Sequence, residues 1–312
     1  MQYRQLGSTD LSVSAIGMGC VTFGREIDHP VSLKIMDHAF ESGITLFDTA
    51  EAYGQGSSES LLGEWLQTRQ CRDRVVLATK VNGTLTRARI LASAESSLKR
   101  LQTDYIDLLQ THVWDESTQL EETLEALTLL VQQGKVRYVG CSNYSAEQLA
   151  RALQLADQNG LARMACVQPP YNLVQRDIEA DLLPLCAARQ IGVISYSPLA
   201  AGFLTGKYRP GQSVPEGTRF DVIPGHQEIY FNEHGYEVLA RLDEEADRTG
   251  VPHIEQALSW VFRQPGVTSV LVGARQTSHL DQALAAMKSA VQAGDQTSRN
   301  SPESRGDDVS RS

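Results

Sequence analysis

The chain has 312 residues and is 41% hydrophobic, with 28 Lys and Arg set against 38 Asp and Glu for a formal net charge of −10. That length and apolar content can bury a large core, either one big barrel or two modest domains. The acidic balance excludes a broad basic face for nucleic acid or an anionic membrane, but leaves room for a local basic pocket.

Turn chemistry at Leu6–Leu11, between two short alternating segments, predicts an N-terminal β-hairpin. Apolar runs at Ala15–Val21 and Leu46–Asp48 then begin a strand–helix rhythm. Val75–Thr79 precedes an amphipathic stretch at Arg87–Leu101, Tyr105–Leu109 precedes Leu120–Gln132, and Val136–Gly140 precedes Ala146–Asp157. Ser145 offers an N-cap to the last of these helices. Further short runs follow at Ala165–Gln168, Gly192–Tyr196 and Ser269–Val272. Buried strands alternating with helices indicate a parallel sheet. About eight such units fit between residues 15 and 290, close to the roughly 250 residues of a (β/α)8 TIM barrel. A doubly wound sheet would carry a Gly-x-Gly-x-x-Gly turn after its first strand, and none follows Ala15–Val21.

Two segments break the rhythm. Ala200–His234, after the seventh barrel strand, is long, rich in Gly and Pro and poorly periodic, so it reads as a functional or mobile loop. Residues 294–312 hold almost no apolar side chain and read as a disordered tail beyond a barrel domain at 1–293. The five cysteines, Cys20, Cys71, Cys141, Cys166 and Cys186, have neither CxxC nor metal-site spacing and read as reduced thiols. With no secretory leader pattern and no apolar run long enough to span a bilayer, a cytoplasmic protein without a metal is expected, as a monomer or homo-oligomer.

Four polar residues fall where barrel strands end: Asp48, Tyr53 in the following loop, Lys80 and His112. Barrel enzymes place their active sites at that face. Singly, each has a bland explanation as a cap, a solvated charge or a packed ring. Together they supply what carbonyl reduction requires. Charge growing on a carbonyl oxygen needs a proton donor within hydrogen-bond reach. A phenol is a reluctant acid, and a nearby ammonium lowers its pKa. A buried ammonium needs a carboxylate, and a neutral imidazole can orient the oxygen. A Schiff-base lyase using Lys80 would instead need a lysine free of Asp48.

The run Phe47-Asp48-Thr49-Ala50-Glu51-Ala52-Tyr53-Gly54, followed by Glu59, Leu61, Leu62 and Gly63, resembles the signature of the aldo-keto reductases, and the resemblance extends from residue 3 to about 290. It implies that Tyr53 donates the proton, Lys80 and Asp48 tune it, and His112 orients the carbonyl. It also implies a nicotinamide cofactor. Gly19, Cys20 and Val21 would lie beside the nicotinamide together with Asp48, while Ser142, Asn143 and Gln168 would hold its carboxamide and Tyr196 its ring. Ser197, Pro198, Leu199, Ala200, Gly202 and Lys207 resemble the pyrophosphate loop of longer-looped, bacterial-type members, with Arg219 as a further phosphate contact. Gly273 and Arg275 match the strand end facing the 2′-phosphate, and a guanidinium there argues for NADPH/NADP+, with NADH possible. His279 and Gln282 occupy the adenosine positions, although Gln282-Ala283 replaces the family's Glu-Asn and Gly19-Cys20 its Gly-Thr. An aldehyde, ketone or sugar substrate would meet Phe23, Trp114, Tyr230 and Phe231. Some similar proteins act as redox-sensing subunits with little turnover, which is the alternative function.

Overall fold

The computed structural model describes residues 1–299, beginning with the expected hairpin, in which β1 (Tyr3–Gln5) pairs antiparallel with β2 (Ser12–Ser14). Its turn is pressed against the strands above it. Gly7 has a φ of +57°, and a Cβ there would stand 2.6 Å from the carbonyl oxygen of Gln190, so both conformation and space demand glycine. Leu6, Leu11 and Val13 from the hairpin are buried with Leu46, Ala78, Leu108, Cys166, Ile194 and Leu271.

Eight parallel strands follow: β3 (Ile16–Gly19), β4 (Leu46–Asp48), β5 (Val76–Val81), β6 (Ile106–Thr111), β7 (Val136–Ser142), β8 (Met164–Gln168), β9 (Gly192–Ser195) and β10 (Ser269–Gly273). They close in chain order, β10 pairing with β3, into a (β/α)8 barrel floored by the hairpin. Helices α1 (His29–Glu41), α2 (Ser57–Arg69), α3 (Arg87–Leu101), α4 (Leu120–Gln132), α5 (Ala146–Asn159) and α6 (Leu182–Arg189) separate the strands. Helices α3 and α4 span the amphipathic segments read from the sequence. Ser145 and Gln148 form a reciprocal capping box at the start of α5. All five cysteines are buried and free. Among the described residues, no helix is long and apolar enough to cross a membrane.

The segment after β9 is more ordered than its sequence suggests. It contains a 3₁₀ stretch (Ala200–Thr205), the short helices α7 (Arg219–Val222) and α8 (Gln227–Tyr230), and the start of α9 (Glu233–Thr249). Phe203, Tyr208, Phe220, Tyr230, Phe231 and Tyr236 pack ring against ring within it. Helices of a single turn are too short to leave a periodic pattern, and the cluster depends on contacts distant in sequence. After α10 (His253–Phe262), α11 (Thr277–Arg299) continues past Gly294, where a disordered tail was expected to begin. Extending a helix costs far less than starting one, so its polar last turns need no apolar face. The remainder of that expected tail, residues 300–312, lies outside the described residues.

Candidate active site

Alternation along the strands converts the barrel floor into a polar mouth. Residues two apart share a face. Leu46, Ala78, Leu108, Cys166 and Ile194 form part of the apolar floor, and two residues on stand Asp48, Lys80, Gln110, Gln168 and Tyr196. His112 follows Gln110 by two, and its N–H donates to Val81 O.

Lys80 and Asp48 are fully buried, and Lys80 Nζ lies 2.5 Å from Asp48 Oδ2. The same ammonium donates to Thr49 O at 2.9 Å and lies 3.4 Å from Tyr53 Oη. The other carboxylate oxygen, Asp48 Oδ1, accepts from Gln168 Nε2 at 2.9 Å and from Gln110 Nε2 at 3.4 Å. His112 presents its ring edge-on to Tyr53, with centroids 5.8 Å apart, and its buried Nδ1 has no hydrogen-bond partner among the described residues. Tyr53 opens a 3₁₀ turn that leads into α2.

These surroundings set the protonation states. Burial works against the Lys80 ammonium, but Asp48 and then Tyr53 more than offset it and raise its pKa. A lysine held so firmly charged is no Schiff-base nucleophile. Burial pushes His112 down to about 4, helped by Lys80, so its imidazole is neutral near pH 7. The Tyr53 phenol departs from expectation. Lys80 does pull it down, but burial outweighs the ammonium and the net shift is upward. Tyr53 is therefore protonated at rest, with a cation in place to stabilise the phenolate that would form as it gives up its proton.

Asp48, Tyr53 and His112 open into a cleft of about 690 Å3, whose walls include Gly19, Val21, Ser142, Asn143, Gln168, Tyr196, Ser197, Pro198, Leu199, Gly202, Lys207, Glu216, Arg219, Gly273, Arg275, His279 and Gln282. Asn143 sits in the left-handed region (φ +59°), accepts from Tyr196 Oη at 2.7 Å and donates to His112 O at 2.9 Å. Ser197, Ala200 and Ala201 also have positive φ, at +54°, +51° and +56°. Non-glycine residues seldom adopt that conformation, and its clustering marks strain at a ligand-facing loop.

The far end of the cleft concentrates positive charge in an acidic protein. Partial burial and then Arg275 hold Lys207 below the usual lysine range. Burial, Arg275 and Lys207 lower His279. Arg219 is lowered by burial and Arg25, against which Glu26 pulls upward through a 2.8 Å ion pair. Arg275 Nη1 donates to Gly217 O at 3.2 Å. Glu26 answers Arg219, but the mutual repulsion of Lys207, Arg275 and His279 favours an anion between them.

Several of the expected contact residues do not line the cleft. Cys20 and Ala200 are wholly buried behind the wall, so no side chain of theirs faces the cleft. Phe23 is fully buried in the main core. Tyr230 and Phe231 turn into the aromatic cluster, where Tyr230 Oη donates to Gln175 Oε1. Trp114 packs edge-on against Tyr144 with centroids 5.0 Å apart and does not line the cleft. Strand β6 ends at Thr111, so alternation no longer fixes where Trp114 points. Conversely, Thr22, Gly217, Thr218 and His226 line the cleft without having been anticipated. Gln110 was also overlooked, although its spacing of two from His112 signals an inward-facing side chain.

A closed barrel with this cluster at its mouth defines a family, and the sequence pattern of the Aldo/keto reductase family matches residues 15–298. The chain belongs to that family, whose members are oxidoreductases of carbonyl compounds. It is 36% identical over 295 residues to aldo-keto reductase YhdN of Bacillus subtilis (strain 168), covering 90% of this chain and 87% of that one. A probable voltage-gated potassium channel subunit beta of Arabidopsis thaliana is 34% identical over 301 residues, 92% and 91% of the two chains. Norsolorinic acid reductase B of Aspergillus parasiticus is 34% identical over 303 residues, 89% and 78% of the two.

Proposed function

We propose that this protein is an NADPH-dependent reductase that converts an aldehyde or ketone, including small carbonyls and sugars, to the alcohol with Tyr53 as proton donor. One observation carries this reading: a protonated phenol beside a buried ammonium opens into the same cleft as Lys207, Arg275 and His279, a group of cationic side chains that repel one another. Bound nicotinamide would supply the hydride. Ser142, Asn143 and Gln168 would hold its carboxamide and Tyr196 its ring. Lys207 and Arg219 would face the pyrophosphate, and Arg275 and His279 the 2′-phosphate. Neutral His112 would hydrogen-bond the substrate carbonyl through its Nε2, and Tyr53 would protonate the oxygen as charge develops there. The grouping of Arg275, Lys207 and His279 supports NADPH over NADH, because only NADPH carries a 2′-phosphate for these cations to meet.

Oxidation of NADPH and of NADH, followed across a panel of aldehydes, ketones and sugars, tests this reading. NADPH-dependent turnover with at least one carbonyl is expected. Its absence across the panel, with NADPH still bound, would favour a second reading as a redox-sensing NADPH-binding subunit, which the extensive identity with the Arabidopsis protein motivates.

A further inference from the structure

Gln110 is the last residue but one of β6 and is completely buried inside the barrel. An uncharged amide at such depth must satisfy both of its ends. Its Nε2 donates to Asp48 Oδ1 at 3.4 Å. Its Oε1 accepts from Gln168 Nε2 at 3.4 Å and faces the Cys166 thiol at 3.7 Å. The reverse orientation would set the amide oxygen against the carboxylate oxygen, so the arrangement has one sense only. The neighbouring strand leaves space for it. A Cβ on Gly140 would stand 2.6 Å from Cys166 Sγ and 3.3 Å from Gln110 Cγ, so glycine there keeps the interior open for the amide.

Two consequences follow. Asp48 accepts from Lys80 on one oxygen and from two amides on the other, which fixes the orientation of its carboxylate in a buried site. Gln168, with its Nε2 shared between Asp48 and Gln110, is left with Oε1 as its one amide atom having no hydrogen bond among the described residues, and Gln168 lines the cleft. Its carbonyl is thereby preset as an acceptor for a ligand N–H.

We propose that Gln110 is a positioning residue that acts through Asp48 and Gln168, coupling the charge on the proton-donor side to the amide on the cofactor side. It touches neither substrate nor cofactor. The proposal rests on the reductase reading above.

The test uses the full chain loaded with NADPH and compares kcat against pH for wild type, Gln110→Leu and Gln110→Glu. Gln110→Leu keeps approximate volume but removes a donor to a carboxylate and the acceptor that orients Gln168. Its kcat should fall about tenfold, as for loss of a weak hydrogen bond to a charged group, with a smaller change in the carbonyl KM. Gln110→Glu is the decisive variant. Protonated, the introduced carboxyl donates to Asp48 and accepts from Gln168 as the amide does. Ionised, it sets a second carboxylate against Asp48. Its kcat should approach wild type at low pH and fall along a new limb as pH rises, a limb that mere packing cannot produce. If Gln110→Leu does not fold, that limb alone decides. Variants that track wild type at every pH, or a Gln110→Glu loss independent of pH, would overturn the proposal alone. A wild-type chain without NADPH-dependent turnover would overturn the reductase reading and this proposal with it.

Discussion

The two ends of the cleft are prepared in opposite ways. At the Tyr53 end, charges are buried and paired: Lys80 sits against Asp48, Asp48 accepts from two amides, and strand geometry fixes the side chains. At the Arg275 end, charges sit on connecting segments, lie partly in solvent and repel one another. The backbone between them is bent into left-handed non-glycine conformations. Chemistry that must be ready before substrate arrives is built on rigid strands, where reorganisation during reaction costs little. Charge that exists to meet a ligand can remain unneutralised, because the ligand completes it. On the proposed reading, the two ends separate residues that would govern rate from residues that would govern binding.

The largest effect that could break this division is loss of the donor. We expect Tyr53→Phe to reduce carbonyl reduction on the order of 10²-fold or more, as for removal of a general acid, and Lys80→Met to behave similarly. Steady-state kcat checks both, and near-wild-type rates in Tyr53→Phe would remove it from the role. Next in size is cofactor choice. Arg275→Ala should weaken NADPH binding by roughly 1.5–3 kcal/mol, the range for hydrogen bonds to a charged group, and leave NADH nearly unchanged. Fluorescence titration with both cofactors measures this, and equal losses would make Arg275 a structural residue.

Smaller effects sharpen the contrast through pH. His112 is held down to about 4, so protonation of this ring should leave kcat/KM flat from pH 7 to about 5, with no loss near the ordinary histidine value of about 6.5. An acid limb near 6.5 that disappears in His112→Ala would contradict that assignment. His279 should respond in the opposite sense. Arg275 and Lys207 help hold it below its ordinary value, and a phosphate dianion among them would relieve that pressure and raise it. His279 should therefore contribute proton uptake to NADPH binding, against release from the phosphate's own second ionisation at about 6. Wild type minus His279→Ala isolates the uptake, and NADH should show neither. Calorimetry in buffers of different ionisation enthalpy reads that difference. The smallest effect expected is in backbone protection. Amides between Gly202 and Arg219 should gain hydrogen-exchange protection with NADP+, while those of the aromatic cluster from Phe220 to Tyr236 change little.

Much of this division was visible in the amino-acid order. Asp48, Lys80 and His112 announce themselves because an apolar strand ends in a polar residue, and that signal is local. The α3 and α4 segments were equally plain, since their apolar faces repeat over several turns. What stayed hidden depends on contacts distant in sequence. Tyr230 and Phe231 find Phe203 only once the chain has folded back on itself, and Phe220 packs on both of them. Phe23 and Trp114 occupy the correct end of the barrel, but position after a strand does not say which way a ring turns. The pKa of Tyr53 required the depth of its burial as well as the presence of Lys80, and only the former decides its sign.

The most direct test measures kcat and the NADPH Kd on the same preparations of Tyr53→Phe and Arg275→Ala. We expect the two variants to cross. Tyr53→Phe should lose kcat with Kd unchanged, and Arg275→Ala should lose affinity yet keep most of its kcat once NADPH saturates. If rate and affinity fall together in both variants, the cleft is not divided into a rate-setting end and a binding end, and the roles assigned to Tyr53 and Arg275 are wrong.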